Sequence, residues 1–196
     1  MEKNNQLEAI RDYVFTFFHR DVTGHDFDHM KRVAIMAKKI AEDIDADSFI
    51  CEAAAWLHDI GDRKLFSNPE EAIKKMNIFL ASISIEERQI NEINRIIETV
   101  SYQKGLIPDS MEGQIVQDAD RLDAIGAIGI ARTFQFGGAN EQMIYQPGQS
   151  NTSIEHFYDK LLNIKNLMHT DYAKEIAEER HMFMEAFLKQ FYHEWQ

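Results

Sequence analysis

Residues 54–62 read Ala-Ala-Trp-Leu-His-Asp-Ile-Gly-Asp, an apolar stretch that ends in a histidine and two aspartates. Ile50 and Leu57 belong to an apolar pattern of helical spacing that leads up to this end. His58 and Asp59 therefore fall near a helix terminus, where two adjacent side chains can both turn towards one point. The segment predicts a buried helix that delivers a polar pair to a site.

Helical spacing of apolar residues continues through almost the whole chain, and no alternating run of strand length competes with it. Four predicted helix starts carry capping signals: Asn68 before Pro69, the box from Ser84 to Glu87, Ser110 and Thr170. The helix that starts at Ser110 is expected to be long and to reach about Phe134. An irregular stretch at 136–152 is expected to be either a lid or disordered. The prediction is an all-α fold, with one compact domain over residues 1–196.

The composition narrows the classes of function. The chain has a formal net charge of −12 over 196 residues. It therefore lacks the basic surface that nucleic-acid binding needs, and anionic membranes repel it. We therefore expect neither a nucleic acid polymer nor a membrane as partner, whereas a small anionic substrate needs local cations and a metal. The single cysteine, Cys51, lies in an apolar helical pattern and is expected to pack rather than react. Without an apolar signal core or a run of 18 apolar residues, the expected location is cytoplasmic.

Three polar clusters interrupt the apolar pattern. They are Gly-His-Asp-Phe-Asp-His at 24–29, the His-Asp segment at 58–62, and Asp-Ala-Asp-Arg-Leu-Asp at 118–123. Carboxylates inside a buried helix are costly unless they are paired or bind a metal. A divalent cation would neutralise the acids and use the neutral imidazoles, so we expect one metal site to join the clusters. The order His, His-Asp and Asp on successive helices is much more specific than any one piece.

On these motifs the sequence resembles the HD-domain superfamily of metal-dependent phosphohydrolases. The resemblance is closest to the small single-domain bacterial hydrolases, which show similar Leu-His-Asp-Ile-Gly-Asp-Arg-Lys and Ala-Asp-Arg-Leu-Asp-Ala segments. It spans roughly residues 20–135, and helices over 153–196 would complete the fold. It implies four metal ligands: His29, His58, Asp59 and Asp120.

The same resemblance assigns roles to two further acids. The family's Ala-Asp-x-Leu pattern favours Asp120 over Asp118, and residues two apart point about 200° apart on a regular helix. Asp118 is then expected to support the site from behind, for example by orienting a ligand histidine, or to be an alternative ligand. Related HD nucleotidases place an acid three residues after the His-Asp pair, where it acts on the attacking water. Asp62 occupies that position and is the expected catalytic acid–base group.

Five basic residues are candidate phosphate-binding groups: Arg32, Arg63, Lys64, Arg121 and Arg132. Arg32 and Lys64 are preferred because they flank the ligand motifs, and Lys64 joins Asp62 in the expected catalytic set. The alternative for each of them is an ordinary solvated cation.

One metal ion is expected rather than two. Many relatives carry extra histidines that support a second metal, but residues 60–117 contain none, and Val100 stands where some relatives have histidine. Glu98 is left as a supporting carboxylate. Two imidazoles and two carboxylates suit Mn²⁺ first, with Fe²⁺, Co²⁺, Ni²⁺, Zn²⁺ or Mg²⁺ as alternatives.

The resemblance implies a nucleotide or a related small phosphate ester as substrate. Cleavage of nucleoside triphosphates to monophosphate and pyrophosphate is the first expectation, with the ion acting as Lewis acid. A cyclic or dinucleotide phosphodiesterase is the rival within the class. A catalytically silent, metal-containing regulatory module, with the 136–152 loop binding a partner, is the rival from another class. Retention of Asp62 beside the full ligand set favours the enzyme, while the oligomeric state stays open.

Overall fold

The computed structural model describes residues 1–22, 24–100 and 105–195. Within these ranges the chain is helical and has no strand, which confirms the all-α prediction. The helices are α1 Lys3–Phe18, α2 Phe27–Asp43, α3 Ser48–Leu57, α4 Pro69–Ser82, α5 Glu87–Val100, α6 Met111–Asp123, α7 Gly126–Ala139, α8 Glu155–Asp159 and α9 Asp171–Glu194. A 3₁₀-helix, Leu161–Leu167, lies between α8 and α9. None of these helices is long and apolar enough to span a membrane.

Helices α2, α3 and α6 pack against one another at the centre of the molecule. Their apolar faces meet in a core in which Met30, Ile50 and Ile115 are buried, and the other helices add apolar side chains around it. Cys51 is buried in the same core, and burial raises the pKa of its thiol, as expected for a packing role. Because the three central helices touch, polar groups on them can be brought to one point.

Three of the predicted helix caps are present. The side chains of Asn68, Ser110 and Thr170 each accept the backbone N–H of the residue three positions later. The predicted capping box at Ser84 is wrong. Helix α5 begins at Glu87, and the Glu86 N–H donates to the Gln89 side chain at 3.4 Å. Ser84 instead has a φ of +64° and turns the chain before the helix.

The predicted helix from Ser110 to about Phe134 is divided into α6 and α7. The chain turns at Gly126, whose φ of +75° lies in the left-handed region that only glycine enters without cost. The side chain of Arg180 on α9 fills the space that a Cβ would need there, and it donates to the carbonyl of Leu122 near the end of α6. The break lets α7 turn away from α6 and pack along α9.

The irregular stretch predicted at 136–152 begins later, because α7 continues to Ala139. Beyond it the chain folds back on the helix: the Gln142 N–H donates to the Gly137 carbonyl at 2.8 Å, and Ser153 is buried. Both ends of the segment are therefore anchored beside α7, while residues 146–151 between them are exposed.

Candidate metal centre

Four side chains from three helices converge on one point. His29 lies in the first turn of α2, His58 and Asp59 follow the end of α3, and Asp120 lies on α6. Nε2 of His29 is 3.8 Å from Asp59 Oδ2 and 3.6 Å from Asp120 Oδ1, while Nε2 of His58 is 3.4 Å from Asp59 Oδ1 and 3.7 Å from Asp120 Oδ1. The structure thus brings together the four predicted ligands, hereafter the metal centre.

Hydrogen bonds on the far side of each ring set which nitrogen faces the centre. Nδ1 of His58 lies 2.7 Å from the Ala55 carbonyl, and Nδ1 of His29 lies 2.7 Å from Asp123 Oδ2. Both partners are acceptors, so each Nδ1 carries the proton and donates. The Nε2 atoms then present lone pairs to the centre, which is the form in which histidine binds a metal. Asp26 fixes the entry to α2 by accepting the His29 N–H at 2.7 Å.

The buried nitrogen of His29 tests whether these residues suit a cation. Nε2 of His29 has no hydrogen-bond partner among the described residues although it is fully buried. The facing carboxylate oxygens lie 3.6 and 3.8 Å from this nitrogen, which is too long for hydrogen bonds. Such separations suit atoms that share one ion, with bonds of about 2.0–2.2 Å. A divalent cation therefore fits the donor set and would satisfy the orphaned nitrogen.

Electrostatics keep the acidic part of the centre ionised. Burial on its own would raise the pKa of Asp59, but His58, His25 and His29 outweigh it, so the pKa lies well below its ordinary value. Burial alone would lower the pKa of His58, but Asp59 and Asp120 outweigh it and raise the pKa. Burial lowers the pKa of His29, which keeps that ring neutral. The centre is thus built around carboxylates that attract positive charge.

Asp123 is the carboxylate that orients a ligand histidine, a position that the sequence analysis proposed for Asp118. Besides His29, it accepts from Arg32 Nε at 2.6 Å and from an Arg132 nitrogen at 2.8 Å. Burial alone would raise its pKa, but the bonds from His29 and Arg32 outweigh it and hold the pKa far below the usual range. One ionised group therefore fixes a candidate metal ligand and two arginines.

Asp118 has a different task, and the prediction that it orients a ligand histidine is wrong. Its carboxylate accepts the backbone N–H groups of His169 and Thr170 at 2.9 Å and 2.8 Å, and the Thr170 hydroxyl at 2.8 Å. These donors lie at the start of α9, so Asp118 ties α6 to that helix on the side away from Asp120. Residues two positions apart on a helix point about 200° apart, which explains why Asp118 faces α9 while Asp120 faces the metal centre.

His25 is a neighbour of the centre to which the sequence analysis gave no role. Its Nδ1 lies 2.9 Å from Asp59 Oδ2, and the ring is about one-third exposed in the cavity beside the metal centre. Atoms of His25, His29 and Asp59 lie close enough to share an ion, as do those of His29, His58 and Asp120. Both sets contain His29 and so describe one centre. The expected single ion stays a prediction.

A cavity of about 640 Å³ opens on the metal centre. On the near side it is lined by His25, His58, Asp59, Asp62, Lys64, Asp120 and Ala124. The remaining lining residues, which we call the C-terminal wall, are Gly129, Arg132, Thr133, Phe136, Gln142, Asn151, His156, Lys160 and Leu161. Two of the predicted phosphate-binding residues, Lys64 and Arg132, thus face the cavity, together with the predicted catalytic group Asp62.

The other three predicted phosphate-binding residues do not line the cavity. Arg32 forms a two-pronged ion pair with Asp123, at 2.6 and 3.0 Å. Arg121 is buried and donates to the Leu167 carbonyl, where it holds the 3₁₀-helix against α6. Arg63 is exposed beside Lys64. Glu98, the predicted supporting carboxylate, is likewise exposed and outside the lining. For Arg32, Arg121 and Glu98 the side of the helix on which each residue lies decides the outcome, whereas Arg63 lies in the turns between α3 and α4.

Lys160 is the cation that sequence reasoning missed. It lines the cavity between α8 and the 3₁₀-helix, and burial lowers its pKa while the Asp120 carboxylate acts in the opposite direction. His156 lies one turn before it, and burial together with Lys160 lowers the pKa of its ring. The sequence gives no signal for either, since both sit in an ordinary polar stretch between apolar helix positions.

Fold and site together define a class: an all-helical protein with two imidazoles and two carboxylates around one point, at the base of a cavity with cationic walls. The family model of the HD domain matches residues 26–125, and the chain belongs to the HD-domain family of metal-dependent phosphohydrolases. That match contains all four residues of the metal centre.

Relatives extend the likeness over almost the whole chain. The uncharacterized protein YpgQ of Bacillus subtilis is 41% identical over 194 residues, covering 97% of this chain and 94% of that protein. The crystal structure of YpgQ in complex with ADP has a TM-score of 0.87 at 39% identity, covering 99% and 97% of the two chains. An HD-superfamily hydrolase from Bacillus thuringiensis gives 0.83 at 41% identity, over 99% and 98%.

Proposed function

We propose that this chain hydrolyses nucleotides, with nucleoside triphosphates cleaved to monophosphate and pyrophosphate. The observation that carries the proposal is the cavity itself. Three residues of the metal centre line it, as do three cationic side chains, Lys64, Arg132 and Lys160. The relative YpgQ has been crystallised with ADP, which supports a nucleotide as the ligand.

The cationic side chains of the cavity explain how a chain of negative net charge could bind an anionic substrate. A chain with a formal charge of −12 repels anions in general. Lys64, Arg132 and Lys160 supply local positive charge in the cavity that the carboxylates line, and charge-assisted hydrogen bonds from such groups are the common way to hold phosphate. A compact phosphate chain fits this arrangement better than a long polyanion, which would also meet the acidic surface outside the cavity.

Asp62 is the group that we assign to proton transfer. It lines the cavity, and its Oδ1 accepts the Lys64 N–H at 2.7 Å, which fixes the carboxylate in a turn and leaves Oδ2 for another partner. A carboxylate held in this way can take a proton from the attacking water at Oδ2 and later return it to the leaving oxygen. Lys64 stands next to it and would neutralise charge on the phosphate.

The metal centre supplies the other half of the chemistry. When bound there, a divalent ion would act as a Lewis acid and neutralise charge on the phosphate. His29, His58, Asp59 and Asp120 would hold it, and we propose Mn²⁺ first because the nitrogen and oxygen donors are mixed. Fe²⁺, Co²⁺, Ni²⁺, Zn²⁺ and Mg²⁺ are alternatives that elemental analysis of the purified protein distinguishes.

Product analysis tests the proposal. Protein reconstituted with Mn²⁺ is incubated with nucleoside triphosphates, cyclic nucleotides and dinucleotides, and monophosphate, pyrophosphate and orthophosphate are measured separately. We expect equal amounts of monophosphate and pyrophosphate from triphosphates. Turnover of cyclic or dinucleotide substrates alone would show that the protein is a phosphodiesterase and not a triphosphate hydrolase. Retention of metal without turnover of any compound would support the alternative of a catalytically silent regulatory module.

A further inference from the structure

One face of α7 runs along the cavity away from the metal centre. Gly129, Arg132, Thr133 and Phe136 occupy positions i, i+3, i+4 and i+7 of the helix, and all four line the cavity. Arg132 lies towards the inner part of this face, where its guanidinium donates to Asp123 at 2.8 Å. Phe136 lies one turn further on, about 6 Å along the helix axis, and the residue is 47% exposed. The face thus passes from a phosphate-binding cation to an exposed aromatic ring.

Two side-chain amides line the same wall of the cavity as this ring. Gln142 and Asn151 both line the cavity, and Nε2 of Gln142 donates to Asn151 Oδ1 at 3.4 Å. The bond leaves the carbonyl oxygen of Gln142 as an acceptor and the amide group of Asn151 as a donor. Asn151 also holds a φ of +96°, a conformation that costs free energy in any residue other than glycine.

The backbone around these amides is fixed against α7. A Cβ at Gly137 would collide with the Ser153 hydroxyl, so the close approach of the returning chain depends on this glycine. The Gln142 N–H donates to the Gly137 carbonyl at 2.8 Å, and the Ser153 N–H donates to the Met143 carbonyl at 2.9 Å. The backbone at both ends of the segment that carries the amides is therefore anchored before any ligand arrives, which favours a site that recognises hydrogen-bonding groups.

We infer that Phe136, Gln142 and Asn151 form a subsite for a nucleobase, an inference that rests on the proposed nucleotide substrate. The Phe136 ring offers a face on which a base stacks, and stacking of this kind tolerates every base. The amide pair offers N–H donors and a carbonyl acceptor, which distinguish the edges of the bases from one another. Phosphates held by Arg132 and Lys160 would place the base at the outer end of the same helix face.

Equilibrium binding separates the base from the phosphates. The ligands are the four α,β-methylene nucleoside diphosphates, which resist cleavage, and methylenediphosphonate, which carries the same phosphonate chain without a nucleoside. Calorimetry on Mn²⁺-loaded protein compares the wild type with Phe136→Ala, Gln142→Glu and Asn151→Gly. Glycine is chosen at 151 because it accepts the positive φ. Phe183→Ala is the matched control, since this ring is 53% exposed on α9 and outside the cavity.

For Phe136→Ala we expect about tenfold weaker binding of all four nucleotides, with methylenediphosphonate and the Phe183→Ala control unchanged. Gln142→Glu and Asn151→Gly should alter the order of affinity among the four bases. Equal losses for nucleotides and methylenediphosphonate, or no change in any variant, would overturn the subsite. If the wild type binds methylenediphosphonate as tightly as the nucleotides, the subsite is overturned while the phosphate site stands. If the wild type binds none of the ligands, the proposed function fails as well.

Discussion

The metal centre and the C-terminal wall share one cavity but are built in different ways. The groups of the metal centre lie on or next to long, mutually packed helices, and bonds from Asp123 and the Ala55 carbonyl fix both imidazoles. The wall takes the partly exposed side chains of Phe136 and Gln142 from one helix face and a returning loop, and the more buried Lys160 from the end of a short helix. Groups that hold an ion need rigid supports, whereas groups that meet the variable part of a ligand are commonly placed on loops.

This difference predicts two kinds of response to substitution. A change in the metal centre should remove the ion and nearly all activity, because the chemistry depends on all of its groups together. A change in the wall should alter the affinity for one part of the substrate and leave the rest intact.

Asp59→Asn should have the largest effect. It removes a charge that faces both imidazoles of the centre, so metal content and activity should be lost together. Several kcal/mol of charge stabilisation are at stake, which corresponds to a loss in turnover on the order of 10⁴-fold. Elemental analysis and triphosphate hydrolysis measure the two losses. Asp43→Asn, at the far, exposed end of α2, is the control; full metal content in Asp59→Asn would refute this ligand.

Much of the metal centre could be predicted from the sequence, because a metal site needs unusual residues in a regular order. His58 and Asp59 follow an apolar run, and Asp120 interrupts another, so burial makes their polarity conspicuous. The choice between neighbouring acids was harder. The motif and helix geometry favoured Asp120, but only the packed structure shows that Asp118 faces α9 and that Asp123 faces His29.

The C-terminal wall could not be predicted in the same way. Gln142, Asn151 and Lys160 are common surface residues, and what brings them together is tertiary packing between distant parts of the chain. The break between α6 and α7 was missed for a related reason. Gly126 lies within an apolar run that continues the helical pattern, and the packing of Arg180 against it comes from α9.

Asp62→Asn tests whether catalysis and metal retention are separate at the edge of the centre. The change keeps the shape of the side chain but removes its basic function, so turnover should fall by about 10²–10⁴-fold. Metal content should stay at the wild-type level, because the side chain is outside the four-ligand set. Full activity with the metal in place would make Asp62 only a turn carboxylate bonded to the Lys64 N–H. Loss of metal as in Asp59→Asn would instead make it part of the centre.

Asp123→Asn probes the support behind the metal centre. The amide can still accept one bond from His29 but loses the charge that balances Arg32 and Arg132. Substitutions of carboxylates that orient a metal ligand typically lower metal affinity by about 10–100-fold. Titration with Mn²⁺ measures the metal affinity. The KM for nucleotide measures the effect on Arg132, which loses its ionised partner. Wild-type metal affinity in this variant would show that His29 needs no partner to hold its orientation.

Lys160→Met moves the test to the C-terminal wall. Methionine keeps the apolar stem of this largely buried side chain and removes its charge, so the KM for nucleoside triphosphate should rise by roughly tenfold. Metal affinity should not change. Lys165→Met is the matched control, because Lys165 pairs with Glu178 at 3.0 Å and lies outside the cavity. An equal rise in KM for both variants would show that only general charge is involved.

Asp118→Asn should have the smallest effect on activity and sharpens the comparison within α6. Its carboxylate accepts from two backbone N–H groups and the Thr170 hydroxyl, and an amide would turn an NH₂ donor towards some of these donors. A buried donor left without a partner costs about 1–3 kcal/mol, so the melting temperature should fall by roughly 3–10 °C.

Metal affinity and kcat of the folded protein should equal those of the wild type, in contrast to Asp123→Asn five residues along the same helix. Thermal unfolding and Mn²⁺ titration of the two variants, side by side, make the measurement. If Asp118→Asn instead lost metal affinity tenfold at an unchanged melting temperature, Asp118 would belong to the metal centre and the division of α6 between α9 and His29 would be wrong.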